Sequence, residues 1–210
     1  MRKLNILLVT LALLFASACS SSKKEEKKGK VDLSNFDIGT VNDYTYTNEY
    51  LGLKLALDDN WYFATEKELE EITNDTSEFL ENTEAGDMLE KGKALIICYA
   101  ENLDGLANVV MMVEKKTVQN VTVDQVIDPQ ISLIEEQFKS MGLEDAVCTK
   151  GKTVFLGENV PCITTIASTE NGIMHQTTVI HLVDRLIVTI TATSFTEDIT
   201  ERILMEFAAQ

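Results

Sequence analysis

Few side chains in this chain are equipped for chemistry. Its 210 residues include 34 Asp and Glu but two histidines and four cysteines, so acid–base work would fall mainly to carboxylates. His175 and His181 are six residues apart on one strand face, which places them about 20 Å from each other, too far to share a metal ion. Gly151-Lys152-Thr153 has the closing residues of a phosphate-binding loop. Ala146, however, occupies the place of the first glycine, and an apolar run, Val154-Phe155-Leu156, follows where a helix is required. Asp58-Asp59-Asn60 and Glu101, Asn102 and Asp104 offer oxygens to calcium, yet acidic turns are ordinary and the EF-hand spacing is absent. Trp61-Tyr62-Phe63 could line a ligand pocket, although aromatics flanking an apolar strand more often belong to a core. Neither Gly-x-Ser-x-Gly nor His-Glu-x-x-His occurs. The residues therefore name no catalytic group, no metal ligand and no cofactor. A pair of carboxylates is the enzymatic route left open.

The cysteines divide into one with a processing role and three without. Arg2 and Lys3 open the chain, Ile6 to Phe15 form a short apolar run, and Ala16-Ser17-Ala18 place small residues before Cys19. This is the order of a secretion signal, and Ser20-Ser21-Ser22 with Lys23-Lys24 end it short of the about 20 apolar residues that spanning requires. Residues 16–19 resemble the lipobox of bacterial lipoproteins, with Ala16 where Leu is usual. The resemblance implies cleavage before Cys19, acylation of that residue, and attachment to the extracytoplasmic face of the cell membrane. Cys98 sits in the apolar run Leu95-Ile96-Ile97-Cys98-Tyr99 and is expected to be a buried thiol. Cys148 and Cys162 flank the turn-rich stretch Thr149 to Pro161 and could pair if their strands adjoin. An odd number cannot pair completely within one chain, and three free thiols is the expectation.

Charge separates a tether from a domain. Residues 1–30 hold seven basic and two acidic side chains, leaving 11 basic and 32 acidic in the rest, a net of −21. Such a field repels a phosphate backbone, which excludes nucleic acid as a partner. From Ser20 to about Asn42 the composition is that of a flexible spacer with an r.m.s. span of about 25 Å, and Lys23 to Lys30 add contacts of up to ~1 kcal/mol each to anionic lipid. The organisation expected is a signal peptide over 1–18, a lipidated Cys and tether over 19–43, and one folded domain over 44–210.

Within that domain, Tyr44 to Thr47 and the alternation of Leu51, Leu53, Leu55 and Leu57 predict strands. Thr65 and Glu68 form a capping box that starts a helix near Glu66, and a second short helix is expected between Gly86 and Gly92. Ala94–Glu101 and Asn108–Glu114 read as a hairpin across Asp104-Gly105. Thr122 and Gln125 cap a long helix that ends at Gly142. A meander over 154–156, 160–168, 173–182 and 186–194 follows, and Thr196 to Ala208 is expected to close as a helix bearing Ile199, Ile203, Leu204 and Phe207. This order predicts an α+β fold with helices packed on an antiparallel sheet.

The stretch Tyr46-Thr47-Asn48-Glu49-Tyr50-Leu51-Gly52-Leu53-Lys54-Leu55, with Trp61 and Ala64-Thr65-Glu66-Lys67-Glu68-Leu69, resembles the opening of Gram-positive lipoproteins whose domain is similar to the PsbP and Mog family. Asp59-Asn60 stand where such proteins often show Pro and Gly. The resemblance implies an α/β/α sandwich around a central antiparallel sheet, no catalytic residues, and a role in assembly or interaction. The function expected is therefore a noncatalytic module that binds an envelope protein or a small ligand at the membrane, with a surface hydrolase using paired carboxylates as the alternative.

Overall fold

A computed structural model of the chain describes residue 33 and residues 36–80, 88–116 and 120–210. The signal segment, Cys19, most of the tether and Gly86 lie outside the described residues. The centre of the fold is a seven-stranded antiparallel sheet in the order β4-β5-β6-β10-β9-β8-β7, formed by β4 (Trp61–Phe63), β5 (Ala94–Asn102), β6 (Ala107–Lys115), β7 (Val147–Phe155), β8 (Glu158–Thr169), β9 (Gly172–Val183) and β10 (Leu186–Phe195). A four-stranded antiparallel sheet joins β1 (Thr40–Asn42), β2 (Thr45–Asn48), β3 (Leu53–Ala56) and β11 (Phe207–Ala209) in that order. The α+β class holds, with antiparallel pairing throughout.

Each face of the large sheet has its own core. Against one face pack α1 (Glu66–Phe79), through Leu69 and Ile72, and α2 (Val123–Ser140), through Val126, Ile127, Ile134 and Phe138. Both helices begin with the capping boxes foreseen, Thr65 with Glu68 and Thr122 with Gln125, each satisfying two backbone donors that the first helical turn leaves open. The opposite face meets the small sheet through Tyr46, Leu53 and Leu55, and the short α3 (Thr200–Met205) through Ile203 and Leu204. An extra residue at Ile97 in β5 turns both Ile97 and Cys98 toward this second core. Among the described residues no helix is long and apolar enough to cross a membrane.

Three expectations require correction. The folded body starts before Tyr44: Leu33 is buried and β1 pairs with β2. Apolar Leu33, Phe36 and Ile38 pack into the second core, which overrides the polar composition around them. The terminal helix is shorter than its periodicity suggests, because Phe207–Ala209 leaves it to pair with Leu55–Leu53 of β3. Finally, β7 begins at Val147, well ahead of the expected Val154. Its first half alternates polar residues with Cys148 and pairs fully with β8, a pattern that reads as loop when the partner strand is unknown.

Candidate functional site

Where the β3–β4 turn, the β5–β6 tip and α3 come together, they enclose an open groove of about 570 Å³. The turn is built by Asp58, whose Oδ1 accepts from the Asn60 amide at 3.0 Å while its carbonyl accepts from the Trp61 amide at 3.2 Å. Leu103 N–H donates to the Asn60 carbonyl at 2.8 Å, tying the turn to the hairpin tip. Asn102, opposite Trp61 in the β4–β5 ladder, accepts from Ala107 N–H at 2.7 Å through Oδ1 and directs the hairpin turn. On the other wall, α3 is fixed by the Thr200 and Thr177 hydroxyls at 2.8 Å and by Ile199 N–H donating to Ser194 Oγ at 3.2 Å. This leaves Arg202 and Glu206 exposed along the groove above Leu57, Ile199 and Ile203. Among the described residues, the side chains of Asn60, Trp61, Arg202 and Glu206 make no hydrogen bond or ion pair with the rest of the protein.

Two sets of candidate residues thus meet here. Trp61, Asp58, Asn60 and Asn102 surround one space, whereas Tyr62 turns to the opposite sheet face to bond the Glu68 carboxylate and Phe63 enters the second core. Of the other candidate acidic residues, Asp59 is exposed and does not line the groove, Glu101 accepts from the Tyr99 hydroxyl at 2.9 Å, and Asp104 accepts from Leu106 N–H at 2.9 Å. No group of three or more His, Cys, Asp or Glu among the described residues is arranged to hold a metal ion. Arg202 and Glu206 were not foreseen, since charged residues in a closing amphipathic segment carry no mark separating a groove wall from a solvated face.

The other chemistry-bearing residues are dispersed. Gly151-Lys152-Thr153 lies inside β7, where a Cβ on Gly151 would sit 3.3 Å from Cys162 Sγ, and Lys150 pairs with Asp124 and Asp128 of α2 at 2.8 and 2.5 Å. His175 stands 3.7 Å from Asp198. His181 packs against the Phe155 ring and the Leu51 carbonyl, and burial lowers its pKa below the usual imidazole value. All three described cysteines are free and buried. Strands β7 and β8 do adjoin, but Cys148 pairs with Thr165 on the helix-facing side and Cys162 faces the second core, so no bond can join them. Burial pushes all three thiols up, Cys162 to about 11, which suppresses the thiolate a nucleophile needs.

A second groove, also about 570 Å³, separates the N-terminal segment from β4 and α1 and is mainly apolar, with Tyr46, Phe63, Leu69 and Ile97 in its lining. Tyr46 donates to the Ile38 carbonyl at 2.7 Å across it.

No family model matches the sequence, and no curated protein sequence matches it. Among solved structures, the chain is similar to the cyanobacterial PsbP (CyanoP) of Synechocystis sp. PCC 6803, seen in solution, with a TM-score of 0.50 over 79% of this chain and 91% of that one. The fold is PsbP-like. Sequence identity in that comparison is 7%, so the likeness concerns architecture and carries no site residue across.

Proposed function

We propose that this chain is a lipoprotein held by Cys19 on the extracytoplasmic face of the cell membrane, and that its PsbP/Mog-like domain is a noncatalytic module binding an envelope protein or small ligand. The layering, with α1 and α2 on one face of the large sheet and the small sheet with the short α3 on the other, supports a sandwich-type reading of that domain. One observation carries the reading: around Trp61, planar polar side chains without internal partners converge on a groove above an apolar floor. Residues able to act as nucleophiles support it from the other side, since the described thiols are buried with raised pKa values. The acidic surface argues against nucleic acid.

Asp58 and Glu206 share the groove, which keeps the paired-carboxylate hydrolase as the alternative. In cell fractionation, wild type is expected in the membrane fraction and Cys19→Ala in the soluble extracytoplasmic fraction; equal membrane retention of the two would remove the anchor. Purified protein is expected to show no turnover on glycoside, ester and peptide substrates. Turnover that vanishes in Asp58→Asn or Glu206→Gln, with folding intact, would replace the binding reading with the enzyme.

A further inference from the structure

We propose that the groove beside Trp61 takes a neutral oligosaccharide, a reading that rests on this groove being the ligand site. Charge narrows the ligand class first. Asp58 and Glu206 would oppose an anion in a chain already at −16, while Arg202 on the same wall offsets part of their pull on a cation. The sign of the groove thus disfavours an anion, and the choice between a cationic and a neutral ligand falls to hydrogen bonding and to Trp61.

Hydrogen-bonding chemistry narrows it further. Asp58 has one carboxylate oxygen committed to Asn60 N–H, and Asn102 has its carbonyl committed to Ala107 N–H, which leaves an acceptor on the first and an NH₂ donor on the second. Arg202 adds a fork of donors, Glu206 two acceptor oxygens, and Asn60 both kinds. Flat side chains that between them both donate and accept match vicinal hydroxyl groups, each of which does both. A purely apolar ligand would strip water from all five and return nothing.

Trp61 supplies the remaining element. It is partly buried, anchored by pairing with Asn102 and by packing at the edge of the second core, and it lines the groove. A rigid indole offers a broad apolar face at small entropic cost, suited to the C–H face of a pyranose ring. At about 570 Å³ the groove falls within the roughly 300–1,000 Å³ of small-ligand sites, and its open form allows a chain of sugars to continue beyond it.

Trp61 is the single tryptophan, so its emission reports the site directly. The full mature chain, extracted in a non-glycosidic detergent, is titrated with neutral tetrasaccharides of glucose and of N-acetylglucosamine, with tetralysine, and with polyphosphate. A saturable emission change is expected with a neutral tetrasaccharide and none with the two charged probes. Calorimetry should show at least tenfold weaker binding for the Arg202→Ala/Glu206→Gln variant, whose exposed positions leave the thermal melt unchanged. Binding should also be lost in Trp61→Ala and largely retained in Trp61→Phe. A response confined to tetralysine or polyphosphate would overturn the saccharide assignment while leaving the groove as a binding site. Silence toward every probe, together with unchanged capture of envelope partners by the double variant, would remove the groove reading itself.

Discussion

At the scale of single residues, the helix-facing side of the large sheet is unusually polar for a core. One row crosses all seven strands in register: Tyr62, Glu101, Asn108, Thr193, Gln176, Thr165 and Cys148. Gln176 donates to Thr193 at 2.9 Å, and the Cys148 and Thr165 side chains meet at 3.2 Å. Two rows away, Thr189 is fully buried between Met112 and Ile180, and its hydroxyl has no hydrogen-bond partner among the described residues. An unmatched buried hydroxyl costs about 1–3 kcal/mol, so Thr189→Val, of equal shape, should stabilise the protein by about 1 kcal/mol in urea denaturation. His181 contributes a pH dependence of definite sign. Its folded-state pKa is lowered by burial, so below about pH 6.5, the ordinary imidazole value, the unfolded chain binds the proton first and stability falls until the folded value is passed. Between pH 7.5 and 5.0 the urea midpoint of wild type should therefore drop further than that of His181→Gln.

Among the elements, the N-terminal segment depends on a single backbone choice. Gly39 has φ +87°, and a Cβ there would lie 2.5 Å from the Thr47 carbonyl oxygen and 2.9 Å from the Tyr46 ring. Strand β2 cannot retreat, because β3 holds its other side. Gly39→Ala should cost roughly 1–3 kcal/mol and abolish amide protection over Thr40–Asn42 while β5, β6 and β10 keep theirs. Gly52→Ala, at φ +63° with nothing within 4 Å, should cost less and leave β1 protected. The contrast also shows what can be read from sequence. Capping boxes at Thr65 and Thr122 are local signals and matched the elements found, whereas of the alternating Leu51, Leu53, Leu55 and Leu57 the middle two lie in β3, with Leu51 in the turn before it and Leu57 beyond its end. The second sheet was not legible, since its short strands come from both ends of the chain and only their partners give them order. The groove divides along the same line. Asp58, Asn60, Trp61 and Asn102 could be nominated by residue type, whereas Arg202 and Glu206 acquire their place from the docking of α3.

For the whole molecule, the question is whether two sheets behave as one folding unit. Phe207 joins them: it pairs with Leu55 in the small sheet, and its ring lies 5.4 Å from that of Phe155 at the edge of the large one. Phe155 in turn contacts His181 of β9. Removing a buried phenyl ring typically costs about 3–5 kcal/mol, a large fraction of the roughly 5–15 kcal/mol that holds a domain together. Since Tyr46, Leu53, Leu55, Ile203 and Leu204 all bury into the same core as Val109, Met111 and Val188, neither sheet has a separate apolar interior on that side. Phe207→Ala should therefore lower the urea midpoint without splitting the transition. Trp61, at the junction of the sheets, supplies a fluorescence probe to set against far-UV circular dichroism of the strands. Coincident curves in wild type and variant are the expected result. An earlier fluorescence transition in Phe207→Ala would instead mean that the small sheet and the groove it helps to form can open while the large sheet remains folded.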